Sequence, residues 1–177
     1  ELAVEPPPGE GRDERRGDHR IDIVRDPYAS VIRGPGKDCG VNLTGELYRV
    51  DCQQIEFGHI GKPFLTYTSR TWKLAEDGTP LQPLATETGF WRPQPDNRLE
   101  VLLAHPTGFV EIWLGEVTGT KQELRTDVVA RTESAKEYSA GHRLYGLVDG
   151  ELLWAFDMAA MGQPLQSHIS ARLRRVS

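Results

Sequence analysis

The stretch Gln53–Trp72 decides the fold of this chain and reads QQIEFGHIGKPFLTYTSRTW. In its first part polar and apolar residues alternate, so that Ile55 and Phe57 fall on one face of a strand. The part from Phe64 onward is rich in β-branched and aromatic residues. Alternation and this composition are typical of β-strands, and the glycines and proline between the two parts are typical of a turn. The stretch therefore predicts two strands joined by a turn.

The same pattern continues to residue 158. Further strands are predicted at about 86–92, 98–105, 109–117, 121–131, 142–148 and 151–158. Turn residues separate them, and Asp149-Gly150 between two patterned runs is the strongest hairpin signal. The spacing of Leu165, Ile169 and Leu173 fits either a helix or a strand. Many short strands predict an all-β antiparallel sandwich or barrel, and a closed barrel of about ten strands is favoured because closure removes unpaired edges.

Composition narrows the class of protein. The 177 residues suffice for one domain, and the formal net charge of −5 argues against nucleic-acid binding, which needs clustered Lys and Arg. Neither a membrane-spanning apolar run nor a signal peptide is found, so the chain is predicted to be soluble and cytoplasmic. Cys39 and Cys52 are expected to be unpaired thiols in a reducing compartment.

The N-terminal segment 1–26 differs from the rest of the chain. It holds the run Pro6-Pro7-Pro8 and many charged residues, with almost no large apolar side chain before Ile21. Such a composition cannot bury enough apolar surface to offset chain entropy. We therefore predict a disordered or extended tail over residues 1–26 and a single β-barrel domain over residues 27–177.

Histidines are the first candidates for chemistry. His19 falls in the charged tail, while His59 and His105 lie at strand-to-turn boundaries where a ring usually hydrogen-bonds nearby backbone; His142 has no chemical neighbours in sequence. His168 has small neighbours that leave space beside its ring, and neutral imidazole is a good ligand for haem iron. By itself this context leaves a structural role open. Uninterrupted alternation places His168 on the polar face, opposite Ile169.

Carboxylates and aromatic residues give weaker signals. Glu111 and Glu116 are interpreted as the solvated face of a strand, and a pairing of Glu87 with Glu100 cannot be derived from the sequence. Several aromatic residues are expected to fill the core or to line a cavity: Phe90, Trp91, Phe109, Trp113, Trp154 and Phe156. As candidates for the walls of such a cavity we name Phe64, Trp91 and Phe109.

Four segments, in order, resemble the nitrobindins, haem-binding β-barrels once grouped as fatty-acid-binding-protein-like. These segments are Phe57–Tyr67, Glu87–Arg92, Leu102–Gly108 and Gly162–Ala171, and the resemblance covers about residues 53–175. It implies a ten-stranded antiparallel barrel of the lipocalin and fatty-acid-binding-protein type. It also implies that His168 is the axial ligand of a ferric b-type haem. The family's GxWxGxG first strand has its best counterpart in Ser30–Gly36, where Ile32 replaces the tryptophan.

The resemblance implies a haem protein that binds nitric oxide and isomerises peroxynitrite to nitrate, with no catalytic group beyond the haem iron. The alternative is a non-enzymatic barrel that holds a small apolar, fatty-acid-like ligand, with haem binding weakened or lost; the altered residue Ile32 motivates it. A more remote option is an interaction module that recruits a partner through the charged tail. Expected partners are the small-molecule ligand and a second copy in a homodimer, with neither nucleic acid nor membrane.

Overall fold

The computed structural model describes residues 30–34, 38–41, 47–50, 52–75 and 79–176, and this part of the chain forms strands and turns without a helix. Among these residues there is accordingly no helix long and apolar enough to cross a membrane. The strands are β1 (Ser30–Gly34), β2 (Asp38–Val41), β3 (Leu47–Val50), β4 (Cys52–Gly58), β5 (Leu65–Leu74), β6 (Pro80–Pro93), β7 (Arg98–His105), β8 (Phe109–Thr118), β9 (Lys121–Arg131), β10 (Tyr138–Val148), β11 (Glu151–Ala160) and β12 (Gln166–Val176).

Ten of these strands form one closed antiparallel barrel, in the order β1-β12-β11-β10-β9-β8-β7-β6-β5-β4. Strand β1 closes the barrel, because Val31 pairs with Val176 of β12 and Ile32 pairs with Ile55 of β4. Strands β2 and β3 form a separate two-stranded sheet. The prediction of an all-β, antiparallel closed barrel is confirmed, and the loss of the signature tryptophan at Ile32 does not prevent the first strand from pairing.

Local signals account for much of the strand layout. Asp149 and Gly150 both have positive φ, 51° and 79°, which is the backbone that a two-residue hairpin turn requires. The ambiguous C-terminal series forms strand β12 and not a helix. Strand β6 begins at Pro80 and β10 at Tyr138, both earlier than predicted. The predicted tail over residues 1–26 lies outside the described residues.

Inward-facing aromatic side chains fill one end of the barrel. Phe57 lies 5.2 Å from Tyr67 and 5.3 Å from Trp91 between ring centroids, and Trp91 lies 5.1 Å from Tyr145. We call these four residues the aromatic core. Edge-to-face packing of this kind adds about 0.5–1.5 kcal/mol per pair beyond area burial, so this end of the barrel is filled and rigid.

Two predicted cavity-wall residues are placed elsewhere. Trp91 belongs to the aromatic core and does not line the cavity. Phe64 precedes β5 and packs against Phe90, with ring centroids 5.5 Å apart. Phe90 itself is 46% exposed, so the expectation that it fills the interior is wrong. The reason is strand parity: Trp91 points inward, and its neighbour in the strand must point outward.

Candidate functional site

A cavity of about 380 Å³ occupies the end of the barrel opposite the aromatic core. On β4 it is lined by Gln53, four residues before Phe57, and on β5 by Thr71, four residues after Tyr67. Its mouth is bordered by exposed residues that include Leu84, Thr86 and Thr107. The volume falls within the range of about 300–1,000 Å³ that is typical of ligand sites. The other lining residues are Ser69, Ala85, Glu87, His105, Phe109, Glu111, Tyr138, Arg143, Trp154, Phe156, Met158, His168 and Ile169.

A β-bulge in β12 brings His168 into this cavity. Phe156 pairs with Ile169 and the next residue, Asp157, pairs with Ser167, so that the register shifts by one residue at His168. A bulge lets two consecutive residues face the same side, and both His168 and Ile169 line the cavity. Beyond the bulge the ordinary alternation resumes. Uninterrupted alternation placed His168 opposite Ile169, and the bulge is the reason that both residues line the cavity.

The surroundings of His168 are largely apolar. Its half-buried ring meets the Phe156 ring edge to face, with centroids 5.6 Å apart and an interplanar angle of 89°. Ile169 follows it on the same wall, and Met158 lies two residues beyond Phe156 on the neighbouring strand. One imidazole therefore faces a hollow with apolar walls on its own side.

A buried ionic cluster also lines the cavity. The Arg143 guanidinium donates to both oxygens of Glu87, from Nη1 at 2.9 Å and from Nη2 at 2.7 Å, and it also donates to the Tyr145 hydroxyl at 3.2 Å. Glu87 accepts a further hydrogen bond from the Tyr67 hydroxyl at 2.7 Å. The Arg143 side chain is only 2% exposed. This bidentate geometry is the strongest form of carboxylate recognition available to a side chain.

Glu111 extends the cluster toward the mouth of the cavity. Its Oε2 atom lies 2.8 Å from His105 Nε2 and accepts from Trp113 Nε1 at 3.0 Å, while Arg143 Nη2 lies 3.9 Å away. The buried Tyr138 hydroxyl makes no hydrogen bond of ordinary geometry, although it is near enough to Glu111 for that carboxylate to influence it. We call Glu87, Glu111, Arg143 and His105 the ionic cluster.

Electrostatics keep the carboxylates of the cluster charged. Burial by itself would raise the pKa of Glu87, but the Arg143 guanidinium outweighs this effect and lowers the pKa to about 2. For Glu111 burial is again the largest influence, yet the His105 hydrogen bond and the Arg143 charge lower its pKa below the ordinary value. Burial and the nearby Glu111 charge raise the pKa of Tyr138, so its hydroxyl stays protonated.

The remaining histidines have other roles. His59 Nδ1 accepts a hydrogen bond from the Gly61 backbone at 3.3 Å, as expected for a turn histidine. His142 lies outside the cavity, with Nε2 3.1 Å from Glu123 and Nδ1 3.2 Å from Asp157. His105 was expected to bond nearby backbone, yet it contacts Glu111 inside the barrel.

The sequence reasoning missed most of the ionic cluster. Glu111 is 3% exposed and not part of a solvated face. Glu87 and Arg143 are 56 residues apart and meet across the interior, which no local pattern reveals. The only available signal was a charge at an inward position of the alternation, as at Arg143 between Gly141 and Tyr145.

Comparison with known proteins agrees with this geometry. Residues 48–175 match the family described as THAP4-like, heme-binding beta-barrel domain. The chain belongs to this family. It is 55% identical over 138 residues to a protein of Kineococcus radiotolerans named ferric nitrobindin-like protein, covering 71% of this chain and 77% of that one. It is 48% identical over 155 residues to a peroxynitrite isomerase of Salinispora tropica, covering 85% and 78% of the two chains.

A solved structure supports the same assignment. The crystal structure of Rv2717c from M. tuberculosis superposes with a TM-score of 0.71 at 36% identity, covering 84% of this chain and 91% of that one. The resemblance to the nitrobindins is thus confirmed, and with it the haem-binding character of the family.

The residues of the cavity fit a haem. His168 offers one imidazole from an apolar wall, which is the donor that a single axial position needs. The described part of the chain holds no group of three or more His, Cys, Asp or Glu side chains that could bind a bare metal ion. The open mouth at Leu84 and Thr107 suits a ligand with a polar edge.

Proposed function

We propose that the protein is a nitrobindin-type haem protein, which binds ferric haem b through His168, binds nitric oxide and isomerises peroxynitrite to nitrate. The observation that carries this proposal is the β12 bulge, because the His168 imidazole lines the cavity at this point of the strand. The activity comes from relatives named peroxynitrite isomerase, among them one of Nocardioides sp. that is 54% identical over 123 residues.

Each wall of the cavity has a role in this proposal. His168 would donate to the iron and hold the group at one side of the hollow. Phe156, Ile169 and Met158 would exclude water from that side. The haem iron, when bound, would supply Lewis-acid chemistry. No protein side chain is assigned a catalytic step.

The fatty-acid alternative has less support from the cavity chemistry. A carboxylate ligand needs an available cation, and Arg143, the cationic side chain that lines the cavity, is already bound by Glu87 on both nitrogens. Glu111, which also faces the hollow, would repel a second carboxylate. A fatty-acid head group would therefore replace a strong buried ion pair with a weaker arrangement.

Haemin titration of the wild-type protein and of His168→Ala tests the proposal. We expect a Soret band at one equivalent in the wild type and its loss in His168→Ala, with unchanged thermal stability. His59→Ala is the matched control, because His59 makes only a local turn contact in the described structure. A Soret band of equal intensity and affinity in His168→Ala would reject His168 as the ligand.

We also infer a homodimer. Phe90, Leu102, Ile112 and Val128 are paired in register across β6, β7, β8 and β9 and face outward. Phe90, Ile112 and Val128 are 46%, 39% and 44% exposed, and we call these four residues the outer stripe. The ion pair of Arg92 with Glu100 borders it, so a second copy related by a two-fold axis can meet each charge with its opposite.

The remaining assignments belong to the same proposal. We infer a cytoplasmic location, a barrel domain over residues 27–177 that follows an N-terminal tail, and no nucleic-acid or membrane partner. The net charge of −5 and the two cysteines support these inferences. Mixing with duplex DNA or with anionic vesicles is expected to produce no change in sedimentation.

A further inference from the structure

The contact between His168 and Phe156 continues into the ionic cluster. The Arg143 guanidinium carbon lies 4.6 Å from the centre of the Phe156 ring, and it lies 4.9 Å from the centre of the Trp113 ring. Phe156 also meets His168 edge to face at 5.6 Å. Phe156 thus contacts both a buried cation and the histidine at the bulge.

Arg143 has little freedom to move. It is 2% exposed, it is bound on both terminal nitrogens by Glu87, and Trp113 flanks it. A cation held over an aromatic face is attracted to it by the charge distribution of the ring, and the attraction is stronger when both groups are desolvated. The Phe156 ring is therefore held by the Arg143 guanidinium, and Glu87 and Trp113 hold that guanidinium in place.

The space around the Phe156 ring is also closed on the side of β10. A Cβ atom on Gly141 would lie 2.8 Å from Phe156 Cε2, 2.5 Å from the Tyr138 hydroxyl and 2.5 Å from Trp113 Cη2. Glycine at this position lets the three rings approach the backbone. Phe156 consequently has one well-defined position, and its edge-to-face contact restricts the His168 ring.

We propose that Phe156 is a positioning residue for His168, and that the Arg143–Glu87 ion pair holds it in place to fix the plane of the imidazole. This inference rests on the proposed function, because the plane of a ligating ring matters once it binds iron. Groups that orient a metal-bound histidine typically change metal affinity by about 10–100-fold when they are removed. Phe156 acts here through ring packing.

The first test uses the full chain without added haemin. In the proton NMR spectrum, the His168 ring signals carry a ring-current shift from Phe156. We expect Phe156→Leu to remove this shift and Phe156→Tyr, which keeps the ring, to retain it. Identical His168 signals in the wild type and Phe156→Leu would overturn the proposal, whether or not the protein binds haem.

The second test uses the haem-loaded protein. We expect Phe156→Leu to release haemin to excess apomyoglobin about 10–100-fold faster and to change the ferric electron paramagnetic resonance spectrum, with Phe156→Tyr restoring both. The matched control is Phe109→Leu, because Phe109 lines the same cavity but contacts His105 and Tyr138. Equal effects of the two leucine variants would indicate general loss of packing and would overturn the proposal.

Two other results can be told apart from a failure of the Phe156 proposal: a wild type that binds no haemin, and a Phe156→Leu variant that does not fold. If the wild type binds no haemin, the proposed function fails, and the NMR measurement still decides whether Phe156 orients His168. If Phe156→Leu does not fold, Arg143→Lys replaces it, because lysine keeps the charge without the planar guanidinium. We then expect a smaller change of the His168 signals in the same direction, and no change would overturn the proposal.

Discussion

The two ends of the barrel use the same inward faces of the same strands but differ in what fills them. On β4, Phe57 belongs to the aromatic core and Gln53 lines the cavity; on β6, Trp91 belongs to the core and Ala85 lines the cavity. The backbone continues through both ends as one ladder. At these positions of β4 and β6, smaller inward side chains lie at the hollow end and aromatic ones at the filled end.

The ionic cluster lies between these two ends. Glu87 bonds to Tyr67 of the aromatic core and at the same time lines the cavity. Arg143 likewise reaches Tyr145 on one side and Phe156 on the other. Hydrogen-bonded buried charges can fix the arrangement of their neighbours, and here the contacts of Glu87 and Arg143 join the aromatic core to the end that holds His168.

The largest expected difference between the ends is in stability. Trp91→Ala should lower the free energy of unfolding by about 3–5 kcal/mol, because it leaves a large void in a packed core. Met158→Ala should cost less than about 2 kcal/mol, because Met158 already borders a hollow and is partly exposed. Urea unfolding measures both values, and equal losses would contradict the division into a filled and a hollow end.

A second prediction concerns the crowded glycine on β10. Gly141→Ala should destabilise the protein by about 1–3 kcal/mol and weaken haemin binding, because its Cβ would collide with Trp113, Tyr138 and Phe156. Gly146→Ala on the same strand is the control, since nothing lies within 4 Å of its added Cβ. The prediction fails if the two variants have the same melting temperature.

A third prediction concerns pH. The pKa of Glu87 is about 2 in the folded protein, against an ordinary value of 4.5, so its ionised form stabilises the fold fully above pH 4.5. This contribution should disappear as the pH falls from about 4.5 to about 2, with a slope of at most about 1.4 kcal/mol per pH unit.

Denaturant midpoints measured across that pH range test the prediction. Glu87→Gln should be less stable at neutral pH and should show a flatter profile below pH 4.5. Glu116→Gln, at an exposed position on β8, should keep the wild-type profile. An unchanged slope in Glu87→Gln would show that other carboxylates dominate acid unfolding.

The smallest expected effect on stability is at the outer stripe. Ile112→Lys should change the free energy of unfolding by about 0.5 kcal/mol or less, because the side chain already faces solvent. The same variant should shift sedimentation from dimer to monomer if the outer stripe is the dimer face. Thr88→Lys, also outward and exposed, is the control. A monomeric wild type would remove the dimer from the proposal.

Local signals allowed the sequence to predict the architecture. Alternation around Ile55 and Phe57 and the turn at Asp149-Gly150 depend on neighbours in the chain, and the structure confirms both. Contacts across the interior were not predictable. Glu87 meets Arg143 because of barrel closure and register, and periodicity carries no information on which inward residues face each other.

The position of His168 departs most from simple parity. Parity placed it on the polar face of the strand, opposite Ile169, because a bulge of one residue has no reliable signature in a single sequence. The resemblance to a family named His168 independently of parity, and the structure places this residue at the cavity. This case shows that motif matching and strand parity can conflict, and that a bulge is a physical reason to doubt parity.

Because of the bulge at His168, the face of the sheet on which this side chain lies depends on the number of residues in β12 and not on the residue type. Removing Ser167 alone would bring His168 opposite Asp157 and turn its ring to the outer surface, while every residue from Ile169 onward keeps its partner. If His168 binds the haem as proposed, a loss of three nucleotides would separate the scaffold from its cofactor and leave the other cavity side chains in place. Descendants of such a barrel would keep the shape and be free to acquire another cargo.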